Sequence, residues 1–110
     1  MTTRSGWSFE FLNAVVQSEA DALPDDIRAR LFRYAGVIED EGLNALPAGW
    51  VKPLGDKLWE LRLTGRDGIA RAIYVTATGK RVVIVRIFIK KTEKTPPKEL
   101  RIARLRAKEL

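Results

Sequence analysis

From Leu58 to Ile89 the chain adopts a period of two and holds it through three consecutive segments separated by short turns, a pattern that dictates an antiparallel meander. In Leu58-Trp59-Glu60-Leu61-Arg62-Leu63-Thr64, alternation sends Trp59, Leu61 and Leu63 to one face and Glu60 and Arg62 to the other. Gly65-Arg66-Asp67-Gly68 reads as a hairpin turn, residues 69–76 as the next strand and Ala77-Thr78-Gly79-Lys80 as a second turn. Residues 82–89 form the third strand, with Val83, Val85, Ile87 and Ile89 expected on one side.

Before the meander the period is helical. Residues 7–12 alternate aromatic and polar side chains and suit a short first strand, after which Asn13 caps a helix over 14–22. Pro24-Asp25-Asp26 opens a second helix with carboxylates in its first turn, and Ile27, Leu31, Tyr34, Ala35 and Ile38 follow at helical spacing, up to a C-capping Gly42. Two antiparallel helices joined near Pro24 are expected. Residues 42–54 contain Pro47, Gly49 and Pro53 and read as a connecting loop. After Pro96-Pro97, residues 98–108 carry Leu100, Ile102, Ala103, Leu105 and Ala107 at three- and four-residue spacing, a basic terminal helix. The class is α+β: an N-terminal helical hairpin packed on a small antiparallel β-sheet, with a C-terminal helix. A length of 110 residues with 45% hydrophobic content supplies one core, so a single domain over 1–110 is expected.

The chain has no Cys and no His, which removes disulfides, thiol nucleophiles, Ser-His-Asp triads and the commonest zinc and haem ligands. Any catalysis runs on Lys, Arg, Tyr, Asp, Glu, Ser or Thr. Asp56, Glu60 and Asp67 are too scattered for a two-carboxylate hydrolase or a magnesium cage, and no phosphate-binding glycine loop is present, so neither metal nor cofactor is expected. No apolar run approaches membrane-spanning length and the first ten residues lack a signal peptide's apolar segment, so the reading is a soluble, cytoplasmic protein.

Charge is strongly segregated. Residues 1–50 hold four basic and eight acidic side chains, a net of −4, whereas residues 51–110 hold sixteen and six, a net of +10. Arginines spread through strands at this density point to a polyanion-binding face, with nucleic acid favoured over an inert basic surface or one neutralised by an acidic protein partner. Arg62, opposite Trp59, Leu61 and Leu63, belongs on the face away from the helices, where it either pairs with a carboxylate such as Glu60 or meets a ligand. Arg86 interrupts the apolar run Val82-Val83-Ile84-Val85, so it is either paired in the sheet or aimed at a ligand; in the second case, with Arg62 and Arg71 on adjacent strands, three guanidinium groups converge around an anion. Lys90-Lys91-Thr92-Glu93-Lys94 follows where the last strand runs out. Tyr74 falls on the face opposite Arg71 and is as compatible with the core as with a site. Trp7, Trp50 and Trp59 read as packing residues.

The ordered segments Val51-Lys52-Pro53-Leu54, Leu58-Trp59-Glu60-Leu61-Arg62, Ile69-Ala70-Arg71-Ala72-Ile73-Tyr74 and Phe88-Ile89-Lys90-Lys91-Thr92-Glu93-Lys94-Thr95-Pro96 resemble the RelE/ParE toxin superfamily, and within it the HigB-like, phage-related branch. The Phe-x-Lys-Lys-Thr-x-Lys-Thr-Pro ending, preceded by a Glu-Leu-Arg strand, is the specific part. The resemblance implies a RelE-like microbial RNase fold, metal-independent cleavage of mRNA on the ribosome by the RNA's own 2′-hydroxyl, and a cognate antitoxin protein, of helix-turn-helix type.

Carried onto this sequence, the resemblance gives catalytic roles to Arg62 and Arg71 as phosphate clamps and to Lys90 or Lys91 as the proton-exchanging group. Lys52, Lys57, Arg86 and Lys94 become nucleic-acid contacts. Such chemistry needs no Cys, His or metal when basic side chains stabilise charge developing on the phosphate. Arg62 stands where several relatives have lysine; arginine does not deprotonate, so the acceptor of the 2′-hydroxyl proton is unassigned by sequence. A ParE-like, non-enzymatic inhibitor of DNA gyrase and a non-catalytic nucleic-acid-binding module are the competing expectations.

Overall fold

In the computed structural model, which describes residues 3–91 and 93–110, the chain runs β1 (Ser8–Phe11), α1 (Ala14–Asp21), α2 (Asp25–Glu41), β2 (Val51–Gly55), β3 (Leu58–Thr64), β4 (Ile69–Ala77), β5 (Arg81–Ile89) and α3 (Pro97–Ala107). Met1, Thr2 and Thr92, the last within the terminal motif, lie outside the described residues. The strands form one sheet in the order β1-β5-β4-β3-β2. The meander from β3 to β5 is antiparallel as expected, but β1 pairs in parallel with β5, from Ser8 opposite Arg81 to Phe11 opposite Ile84, which makes the sheet mixed.

Two expectations are corrected here. Residues 42–54 are more than a connecting loop: after two 3₁₀ turns, Leu43–Ala45 and Ala48–Trp50, the chain enters β2, which pairs with β3 alone. Pro53 is tolerated because an edge strand need not donate on its outer side. The second correction concerns β5. Its register with β4 shifts between Ile73 and Tyr74, Ile73 facing Arg86 and Tyr74 facing Ile84, which leaves Val85 as an extra residue. One inserted residue exchanges faces downstream, so Val83 and Val85 join one core cluster while Ile87 joins the other.

One face of the sheet, with Leu61, Leu63, Ala72, Tyr74, Ile84 and Ile87, is covered by Val16 and Ala20 of α1 and by Ile27, Leu31, Tyr34 and Ile38 of α2. The helices follow each other in the chain, but each is seated on strands: α1 chiefly against β5, α2 against β1 and β3. The expected helical hairpin is therefore an order of elements organised by the sheet. Asn13 caps α1 by accepting from the Val16 N–H at 3.1 Å. The opposite face, with Leu58, Ile73, Val75, Val83, Val85 and Phe88, receives α3 through Ala103. Among the described residues no helix is long and apolar enough to cross a membrane.

The start of α2 is locked to the β3–β4 turn. Asp26 accepts from its neighbour Ile27 N–H at 2.9 Å and from Arg66 N–H at 2.6 Å, and the hydrogen bond from Arg66 is the main cause holding its carboxyl below the ordinary value. Gly65 passes so close that a Cβ would fall inside the contact distance of Ile27 Cγ1 and 2.9 Å from Asp26 Oδ2. Gly65→Ala is accordingly expected to destabilise by about 1–3 kcal/mol in urea denaturation, the magnitude of overpacking against a fixed core residue.

Tyr74 is a core residue, 2% exposed, and burial pushes its phenol up to about 12. The unfolded chain releases this proton near pH 10 while the folded one keeps it, so stability is intact below pH 10 and falls as pH rises from there to about 12. A thermal-denaturation series from pH 8 to 12 is expected to show that decline, and Tyr74→Phe to flatten it.

Candidate functional site

Strand alternation places Lys52 on β2, Glu60 and Arg62 on β3 and Arg71 on β4 on the same side of the sheet, the side that α3 partly covers. Lys52 faces Glu60 across one ladder and Arg62 faces Arg71 across the next. Together with Gly49, Trp50, Val51 and Glu93 these residues line a cleft of about 230 Å³.

The floor of the cleft is a buried polar network. Arg71 Nη1 lies 3.0 Å from Glu60 Oε1, with the two side chains 2% and 4% exposed. The same nitrogen donates to Thr95 Oγ1 at 3.1 Å, Nη2 donates to the Glu93 carbonyl at 2.9 Å, and the Thr95 hydroxyl donates to the other Glu60 oxygen. Arg71 thus ties β4 to the segment between β5 and α3. Its Nε is buried without a hydrogen-bond partner among the described residues.

Arg62 is different. It is exposed and, among the described residues, has no ion pair or hydrogen bond. A like charge directly opposite ordinarily destabilises a strand pair, but Glu60 neutralises Arg71 and leaves Arg62, among the described residues, as an uncompensated cation of the cleft. Lys52, also exposed, adds a second. The arrangement presents a forked donor and an ammonium above a neutral floor, suited to a phosphodiester.

The expected convergence of three arginines does not occur. Arg71 has its terminal nitrogens committed to Glu60, Thr95 and Glu93, and only its Nε is left without a partner among the described residues. Arg86, expected to contact nucleic acid, is held between Glu19 of α1 at 2.5 Å and Glu99 of α3 at 2.9 Å. Glu19 also accepts from the Ile87 N–H at 3.1 Å, on the β5 edge beyond the reach of β1, and from Arg106 at 3.0 Å. That quartet fastens α1 and α3 to β5. Lys57 sits at the far end of the β2–β3 hairpin, in a larger, mainly apolar groove of about 570 Å³ beside Arg104, which pairs with Asp56 at 2.8 Å.

Lys90 and Lys91 line a neighbouring recess with Gly68, Ile69 and Glu93, so Glu93 is the wall shared with the Arg62 cleft. Lys90 is anchored by its N–H to the Ile69 carbonyl at 2.7 Å, with its Nζ 3.9 Å from Glu93. Lys94 is exposed on the same segment. Trp50 stacks on Tyr34 at 4.5 Å and Trp7 packs on the core, whereas Trp59 is 38% exposed. Sequence reasoning missed Thr95 and Glu93 as parts of the site. The only signal for them was their place in the terminal motif, since their contacts with Arg71 span more than twenty residues.

The family model for the phage-derived protein Gp49-like family matches residues 18–108. The fold is similar to the crystal structure of an archaeal RelE–RelB complex from Pyrococcus horikoshii OT3, with a TM-score of 0.55, 19% sequence identity and coverage of 76% of this chain and 94% of that one. No curated protein sequence matches.

Proposed function

We propose that this chain, which belongs to the phage-derived protein Gp49-like family, is the toxin of a toxin–antitoxin pair and acts as a ribosome-dependent mRNA endonuclease. The observation that carries the reading is the uncompensated Arg62 beside Lys52, in a cleft on a RelE-like fold. In this reading the RNA 2′-oxygen attacks the adjacent phosphorus, the bond from phosphorus to the 5′-oxygen breaks, and Arg62 stabilises the charge that builds on the phosphoryl oxygens. Lys52 holds the backbone, and the 2′-hydroxyl proton passes by way of Lys90 or Lys91, across the Glu93 wall, to the departing 5′-oxygen. The Glu60–Arg71–Thr95 network positions the cleft without touching substrate. A protein antitoxin, as RelB is to the solved RelE, is the proposed partner, the +10 region attracting an acidic segment.

One observation favours a second reading. The buried carboxylate of the cleft is not free to act as a base, because Glu60 is bound to Arg71 and Thr95, and the other carboxylate lining it, Glu93, lies exposed on the wall 3.9 Å from Lys90 Nζ. A protein that poisons a nucleic-acid enzyme such as gyrase by binding needs no base. Mapping 5′ ends of a reporter mRNA in a purified translation system, with and without ribosomes, separates the two. Cuts that require ribosomes and vanish in Arg62→Ala establish the nuclease, and intact mRNA at growth-arresting doses establishes the binding inhibitor.

A further inference from the structure

The outer face of α3 carries a second cationic feature that the cleft chemistry does not use. Lys98, Arg101, Leu105 and Lys108 recur at three- and four-residue intervals, so they share one stripe of the helix, opposite the buried Ala103. All four are exposed. The cations on the flanks of the helix are neutralised within the fold: Arg104 pairs with Asp56 at 2.8 Å and Arg106 with Glu19 at 2.9 Å. The acidic residue within the helix, Glu99, is turned inward onto Arg86 at 2.9 Å. Among the described residues Lys98, Arg101 and Lys108 have no ion pair. On α2, by contrast, exposed Arg30 and Arg33 share the helix with Asp25, Asp26, Asp40 and Glu41.

Position adds to charge. Thr95, two residues before α3, is bonded into the floor of the cleft, so the stripe begins at the cleft and runs about 15 Å away from it along the helix axis. It contains a single apolar residue, too little for a hydrophobic docking seam, and no exposed aromatic ring for stacking bases. Such a surface is complementary to a phosphate backbone.

We infer that the outer face of α3 is a backbone-tracking surface for folded RNA, separate from the Arg62 cleft and continuous with it. The inference rests on the reading of that cleft as an RNA site. The surface binds helical RNA through phosphates, without base readout, and delivers an adjoining single strand to Arg62.

The test uses the full chain with two probes, an RNA hairpin bearing a single-stranded tail and the tail alone. The triple variant Lys98→Gln/Arg101→Gln/Lys108→Gln is expected to bind the tailed hairpin roughly tenfold more weakly and to make the plot of log affinity against log salt shallower by about 2–3 units, near one per lost phosphate contact. Binding of the tail alone is expected to change little. A control, Arg30→Gln/Arg33→Gln, removes two exposed cations from α2 and is expected to change neither. A wild-type salt slope in the triple variant overturns the inference, and so does an equal loss on both probes. If the triple variant instead loses binding to anionic phospholipid vesicles while keeping the hairpin, the stripe is a membrane contact and the inference fails. Arg62→Ala distinguishes the two levels: if it leaves binding of the tail intact while the triple variant loses the hairpin, the cleft reading fails and the stripe stands.

Discussion

Glu60→Ala is expected to cost about 3–5 kcal/mol of folding stability, measured by equilibrium urea denaturation, against a total of about 5–15 kcal/mol for a domain of this size. The magnitude follows from what the deletion leaves behind. Arg71 is 2% exposed, and without Glu60 its charge stays buried with only the Thr95 hydroxyl and the Glu93 carbonyl to solvate it. Thr95 loses its acceptor at the same time. The loss is therefore one of desolvation more than of the ion pair's own net worth, and removing both charges separates the two. Glu60→Leu/Arg71→Met fills similar volume without ions and is expected to recover most of the lost stability, a non-additivity that two independent sites do not show. Glu60→Ala within 1 kcal/mol of wild type would mean that water reaches Arg71 and that the network is not the dry floor described above. The recovered double variant then asks whether Arg71 touches substrate. As a positioning residue, its loss leaves measurable cleavage once the fold is restored.

The contrast between Arg62 and Arg71 shows where the sequence was legible and where it stopped being so. Period-two alternation assigned Arg62 to the face away from α1 and α2, and it lies there, with Arg71 opposite it across the ladder. Alternation carries no information about what arrives from elsewhere in the chain. Glu60 is a diagonal neighbour of Arg71, while Thr95 and Glu93 come from 24 and 22 residues downstream, so the burial of one arginine and exposure of the other is a tertiary outcome. Arg86 went the same way: its anomaly inside an apolar strand was visible, but its partner Glu19 lies 67 residues upstream. β2 was hidden by a different cause. Pro53 is a breaker by local rules and harmless on the outermost strand, and nothing local states that β2 is outermost. The bulge at Val85 is likewise set by pairing with β4, so the side of Ile87 was not available from the sequence of β5 alone.

Arg62→Ala is expected to lower ribosome-dependent cleavage by about 10²–10³-fold, the effect of deleting one preorganised donor aimed at charge that develops in the transition state. Stability should hold or rise slightly, because the side chain is exposed and the substitution removes a cation facing Arg71 across the ladder. This opposite behaviour from Glu60→Ala makes the result interpretable: activity falls with the fold intact. Arg62→Lys keeps the charge and loses the fork, so it is expected to restore binding of a single-stranded RNA more fully than it restores cleavage. Reporter-mRNA cleavage rates in a purified translation system, paired with urea midpoints for each variant, provide the comparison. Full cleavage by Arg62→Ala would remove Arg62 from the chemistry and leave Lys52 as the remaining uncompensated cation of the cleft. Equal loss of cleavage and of RNA affinity would make Arg62 a binding group alone, with the acceleration coming from how the ribosome and the cleft hold the 2′-oxygen in line with phosphorus.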